Sequence, residues 1–138
     1  MEHSMLLTAL TQTPADILKV FADQVLLDIR RVEVLENRVG LTMWPMRDPV
    51  KGTDFFLGEV LIAEARVRVG GEVDGYGACL GRDLEQALGI AVLDAAWRAG
   101  IAAARIEAFA AEQARVQAEA DERLLKQVEA TRITLETF

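Results

Sequence analysis

Residues 55–83 read FFLGEVLIAEARVRVGGEVDGYGACLGRD. Leu61, Ala63, Ala65, Val67 and Val69 recur with a period of two, which puts them on one face of a β-strand. Glu64, Arg66 and Arg68 share the opposite face with Ile62, so that face meets water or a partner. Gly70-Gly71 then supplies the positive φ angles of a tight hairpin turn. The return strand carries Gly75 and Gly77 on the face of Cys79. Glycines weaken a strand unless another backbone or a ring lies close over them. The stretch closes on Gly81, Arg82 and Asp83. Gly81 turns the chain and Asp83 caps a helix, with Gln86 three residues on as in a capping box. Leu84, Leu88, Ala91, Val92 and Ala95 give that helix its apolar stripe. The reading is a β-hairpin feeding a helix.

Upstream, residues 4–12 begin a short helix, and Thr13-Pro14-Ala15-Asp16 opens a second over about 14–23. Thr13 is the expected cap, Pro14 suits the first turn, and Asp16 favours the positive helix end. Ile17, Val20 and Phe21 are its expected buried face. The period then returns to two. Val32 and Val34 alternate, then Val39, Leu41 and Met43, with Asn37 between them as a turn residue. This predicts a first hairpin with strands over 28–36 and 39–45, ended by Pro45 and Pro49, and a surface loop through MRDPVKGTD.

Downstream, Gly100 separates the capped helix from a long one over about 101–129. Ile106, Phe109, Val116, Ala120, Leu124 and Val128 form its narrow stripe. Such a helix is longer than a small sheet can cover, so Leu124, Leu125 and Val128 are expected to meet another subunit. Trp44, Phe55 and Phe56 flank the proline loop as core lids or further candidate interface anchors. The tail TRITLETF alternates and is read as a closing strand. The fold class is α+β, a four-stranded antiparallel sheet of two hairpins packed against helices, with a long C-terminal helix. Residues 1–138 form a single domain.

The formal charge of −7 disfavours binding to phosphate backbones, so no nucleic-acid partner is expected. One cysteine, Cys79, and one histidine, His3, exclude an intrachain disulfide and a four-ligand Cys/His zinc site. A Ser-His-Asp triad would need His3 from a terminus expected to fray. MEHSMLL carries an acid where a signal peptide is basic, and no run reaches the ~20 apolar residues of a membrane helix. A cytoplasmic protein without a membrane partner is expected. Arg82 at a helix N-terminus, with Arg66 and Arg68 on the open strand face, are the candidate anion ligands. Glu59, Glu64 and Asp74 are candidate acids and bases, but Glu64 shares its face with Arg66 and Arg68 as in a salt-bridged surface. No cofactor motif is present, neither GxGxxG nor a Walker loop.

FFLGE (55–59), VRV (67–69), GYGACLGRD (75–83), Ala87 and AVLDAA (91–96) together resemble the PhnG family, subunits of the bacterial carbon–phosphorus lyase system. The tail at 131–138 is similar to that family's closing segment in spacing. The resemblance implies assembly with PhnH-, PhnI- and PhnJ-like chains. It implies support for making α-D-ribose 1-methylphosphonate 5-triphosphate from ATP and methylphosphonate, with release of adenine. Catalysis is attributed in that system mainly to the PhnI-like chain, and the iron–sulfur cluster belongs to the PhnJ-like chain. A transferase subunit that is not catalytic on its own is therefore expected. The alternative is a stand-alone homodimer that binds a small anion through Arg66, Arg68 and Arg82, and self-association fits either reading.

Overall fold

In the computed structural model, which describes every residue except 48, 49, 51, 53, 137 and 138, one antiparallel sheet carries four helices. The order is α1 (His3–Gln12), α2 (Ala15–Leu26), β1 (Val32–Arg47), β2 (Asp54–Val69), β3 (Val73–Leu80), α3 (Leu84–Arg98) and α4 (Ala103–Glu136). The sheet has three strands in the order β1-β2-β3, not the four expected. Asn37 is not a turn; it lies inside β1 opposite Ala65. The alternation changes phase in this strand because Leu35 is an extra residue in a bulge between Val34 and Glu36. Even positions 32 and 34 and odd positions 37, 39 and 41 thus face the same side. Pro45 does not end the strand, which runs on to Arg47.

The expected hairpin of β2 and β3 is present. Val69 pairs with Val73, and Gly70 and Gly71 take φ of +63° and +73° in the turn between them. Ala63, Ala65, Val67 and Val69 are all buried against α3. Gly75 and Gly77 are where α3 lies closest. A β-carbon on Gly75 would come to 2.3 Å from the Ala91 carbonyl oxygen, and one on Gly77 to 2.3 Å from that of Ala87. Only glycine lets the helix backbone rest on the strand.

That contact makes α3 the centre of the molecule. Its buried residues run from Ala87 through Ala96 with only Leu88 less than fully enclosed, so it is apolar on nearly every side. The sheet covers one side, and α2, α1 and α4 cover the rest. Gly89 lets α2 approach, with Ala22 Cβ only 3.4 Å from where its β-carbon would stand. The buried face of α2 is Leu18, Ala22 and Val25. The expected face is right only at Phe21, which is half-buried against the core and stacks on Phe109 of α4 at 4.0 Å, whereas Ile17 and Val20 are exposed. Thr13 is buried but does not cap α2; its hydroxyl donates back to the Ala9 carbonyl at 2.7 Å, closing α1.

Two parts leave this core. β1 and β2 are each 16 residues long, but β3 pairs only with Ile62 to Val69. Residues 41–47 and 54–61 therefore continue as a two-stranded ribbon, an arrangement only marginally stable alone in water. The second is α4. Ile106 and Ala110 are buried, but every residue from 118 to 132 is exposed. Its 34 residues span about 51 Å at the usual helical rise. The tail does not form a strand: α4 continues through it to Glu136.

Candidate functional site

The Gly81-Arg82-Asp83 corner is built as a cap. Gly81 takes φ of +97°, which turns the chain out of β3. The Asp83 carboxylate then accepts the backbone N–H of Gln86 at 3.0 Å and an ion pair from Lys19 of α2 at 2.8 Å. The hydrogen bond from Lys19 holds the Asp83 carboxyl below the usual carboxylate range, and the Gln86 amide adds to it. The cap thereby occupies donors that an anion at this helix end would need. Arg82 is exposed beside it. Cys79 is buried behind the corner, and burial pushes its thiol up.

The other two candidate arginines stand at the opposite end of β3, on the open face of the sheet. Arg68 grips Asp74 with two hydrogen bonds, at 2.7 and 3.2 Å. Arg66 lies 3.9 Å from Glu36. Between them and the ribbon, Arg38 donates to Glu64 at 2.6 Å and the Tyr76 hydroxyl donates to the same carboxylate at 2.9 Å. These two bonds hold Glu64 low, the one from Arg38 first; burial pushes the Tyr76 phenol up, with the neighbouring carboxylate adding to it. Glu64 and Asp74 are thus ionised salt-bridge partners, not a raised acid beside a free base. The structure does not bring Arg66, Arg68 and Arg82 together. Glu59 lies out on the ribbon opposite Met43.

A third cluster escaped sequence reasoning. Asp94 of α3 is 1 % exposed, and its carboxylate binds His3 Nε2 at 2.5 Å and the backbone N–H of Tyr76 at 2.9 Å. The His3 ring stacks on Trp97 at 5.7 Å, and the Trp97 indole donates to Glu107 at 2.9 Å. One signal was available: a lone aspartate within the apolar run IAVLDAAW is buried on any helical reading. Tyr76 N–H and the Asp74 carbonyl belong to the free edge of β3, and Arg98 donates to that carbonyl at 3.1 Å. Asp94 and Arg98 therefore cover the Asp74–Tyr76 part of the β3 edge against further pairing. Through these bonds Asp94 ties α1, α3 and β3 together.

Among the described residues, no group of three or more His, Cys, Asp or Glu side chains is placed to hold a metal ion. No described helix is long and apolar enough to cross a membrane. The remaining candidate interface residues are apolar. Leu124, Leu125 and Val128 are 59, 65 and 56 % exposed on the free half of α4. Trp44, Phe55 and Phe56 lie on the ribbon strands, and their side chains fall outside the described residues.

The family model for phosphonate metabolism protein PhnG matches residues 2–138. The chain belongs to the PhnG family. The match spans α1 through the end of the chain, so both the ribbon and the long α4 are part of the PhnG unit. No curated protein matches it. Membership places this chain in phosphonate metabolism. The glycines that seat α3, the Asp83 cap and Asp94 all fall in the segments that carried the resemblance.

Proposed function

We propose that this chain is a non-catalytic assembly subunit of the carbon–phosphorus lyase core complex. In this reading it supports formation of α-D-ribose 1-methylphosphonate 5-triphosphate from ATP and methylphosphonate, with release of adenine, and its direct partner is a PhnI-like chain. The observation that carries it is the free half of α4. Leu124, Leu125 and Val128 stand in water on a helix that the core abandons, and large apolar side chains repeated on one helix find their stability by burial against a partner. The polar groups fit the same role. Glu64, Asp74 and Asp83 are each bound to a cation of this chain, which leaves them to support structure.

The test is co-purification with PhnH-, PhnI- and PhnJ-like chains. Leu124→Asp with Val128→Asp is expected to abolish capture of the PhnI-like chain, and with it adenine release by the reconstituted mixture. Capture at the unsubstituted yield would place the interface elsewhere, on the ribbon bearing Trp44, Phe55 and Phe56. The purified chain alone is expected to release no adenine from ATP. The anion-binding homodimer gains no support from the geometry, because Arg66 and Arg68 are paired with acids and Arg82 lies at the far end of β3.

A further inference from the structure

The two edges of the sheet are treated differently. At β3, Asp94 and Arg98 satisfy the outward backbone groups of Tyr76 and Asp74. Tyr76 pairs with Arg66, and because the Tyr76 N–H points outward, the backbone of Arg66 points toward β1. Alternation along the ladder then turns the N–H and C=O of Glu36, Arg38, Gly40 and Thr42 inward to β2. Those of Asn37, Val39, Leu41 and Met43 face out along the edge of β1. Among the described residues no helix hydrogen-bonds to this edge beyond the start of α3, where the Asn37 side chain can donate to the Leu84 carbonyl, and the strand pairs regularly from Glu36 to Trp44. Open edges of that kind accept another strand.

We propose that a second copy of this chain pairs along the free edge of β1, antiparallel and centred on Asn37, to form one continuous six-stranded sheet. Two properties select a second copy as the occupant. The first is charge. With Asn37 facing its own counterpart, Glu36 faces Arg38 of the second copy and Arg38 faces its Glu36, so opposite charges meet twice across a two-fold axis. Neighbouring registers lose this match; centring on Arg38 sets arginine against arginine.

The second is apolar fit. Beside the N-terminal end of β1 lies a groove lined by Ala22 and Leu26 of α2, Val32 and Val34 of β1, and Leu88 and Val92 of α3. Val34 is 53 % exposed there. On the same face of the sheet, toward the ribbon, Leu41 and Met43 are 64 and 52 % exposed. Counted past the Leu35 bulge, the Asn37-centred pairing carries Leu41 of each copy to a position opposite Val32 of the other, beside Val34. Leu41 of one copy thus enters the groove of the other, and the new pairing reaches the start of the ribbon.

Sedimentation equilibrium on the purified full chain tests this independently of its partners in phosphonate metabolism. A reversible dimer is expected, with the Val39 and Leu41 amides protected from hydrogen exchange only at concentrations where it forms. Glu36→Arg sets like charges face to face twice, and so does Arg38→Glu. Each is expected to weaken dimerisation about 2- to 30-fold. Mixed in equal amounts, the two variants restore both opposite-charge pairs and should recover affinity as a heterodimer. Leu41→Asp should leave a monomer with an unchanged circular dichroism spectrum. A chain monomeric at every concentration overturns the proposal. So does a dimer indifferent to Leu41→Asp, a mixture that fails to recover, or a dimer lost instead with Leu124→Asp and Val128→Asp.

Discussion

Asp94 accepts the backbone N–H of Tyr76 at 2.9 Å from a side chain that is 1 % exposed, and the same carboxylate holds His3. Removing it strands a strand amide and releases α1 together. Asp94→Ala is expected to cost about 2–4 kcal/mol, because hydrogen bonds to a charged group and an unsatisfied amide are both lost. Asp94→Asn should cost less, since its carbonyl can still accept from one of the two donors. His3→Ala should cost about 1.5–3 kcal/mol, much of it from a buried carboxylate left with one partner. Urea unfolding midpoints at fixed pH measure all three.

Glycine-to-alanine substitutions should divide sharply by position. Gly75→Ala and Gly77→Ala push a methyl group into the α3 backbone and are expected to cost about 1–3 kcal/mol or more. Gly40→Ala meets nothing within 4 Å and has ordinary strand φ, so it should be neutral or stabilise by up to about 1 kcal/mol. Thermal melts of the three variants give the comparison directly.

The α3 cap gives a graded series. Asp83→Ala removes the acceptor of the Gln86 amide and should cost about 0.5–2 kcal/mol. Asp83→Asn keeps an oxygen for that amide and loses only the attraction to Lys19, so it should fold with nearly unchanged stability near neutral pH. A large loss of complex activity in a stably folded Asp83→Asn chain would assign the carboxylate a functional role instead.

Acid should destabilise the fold in a defined direction. Glu64, Asp74 and Asp83 have folded-state pKa values depressed by Arg38, Arg68 and Lys19 respectively. The unfolded chain therefore binds protons first as pH falls, so the stability from these pairs is present above the ordinary carboxylate range of about 4. It is lost as pH drops through the lowered folded values. Unfolding midpoints from pH 7 downward should fall, and Glu64→Gln should flatten that slope. An unchanged slope would mean that these pairs do not persist in solution.

Leu124→Asp with Val128→Asp should leave the isolated chain as stable as before. Both side chains are more than half exposed, and surface changes of this kind usually stay within about 0.5 kcal/mol. A lowered melting temperature in the isolated chain would show that the free half of α4 folds back onto the core.

The β2–β3 hairpin, its Gly70-Gly71 turn, the Asp83 cap and the close approach over Gly75 and Gly77 were legible because each is written in local residue chemistry. The error at Asn37 has an equally local origin. A bulge and a turn both shift the phase of alternation, and Asn37 favours turns. What decides between them is tertiary: Asn37 sits opposite Ala65, and its side-chain amide can donate to the Leu84 carbonyl at the start of α3. The buried face of α2 was missed because Ile17 and Val20 satisfy the helical period as well as Leu18, Ala22 and Val25 do. The glycine at position 89 chooses between them, and its nearest neighbours are Ala22 and Leu18. The tail was read from the alternation of Thr131, Ile133 and Leu135, which the helix running into it overrides. The candidate site was least legible, since His3 and Asp94 meet only once α1 docks.

That docking has a consequence in time. His3 and Asp94 are 91 positions apart, and Gln117 reaches the Ala9 carbonyl across 108. Contacts of such separation form late, because the intervening chain must first be ordered. A ribosome has made nearly the whole core before the residues that seat α1 exist. α1 is therefore made well before the residues that seat it, and waits as an unsatisfied amphipathic segment while β2, β3 and α3 assemble. Substitutions at His3 should then act mainly on the rate of unfolding and leave the rate of folding nearly untouched.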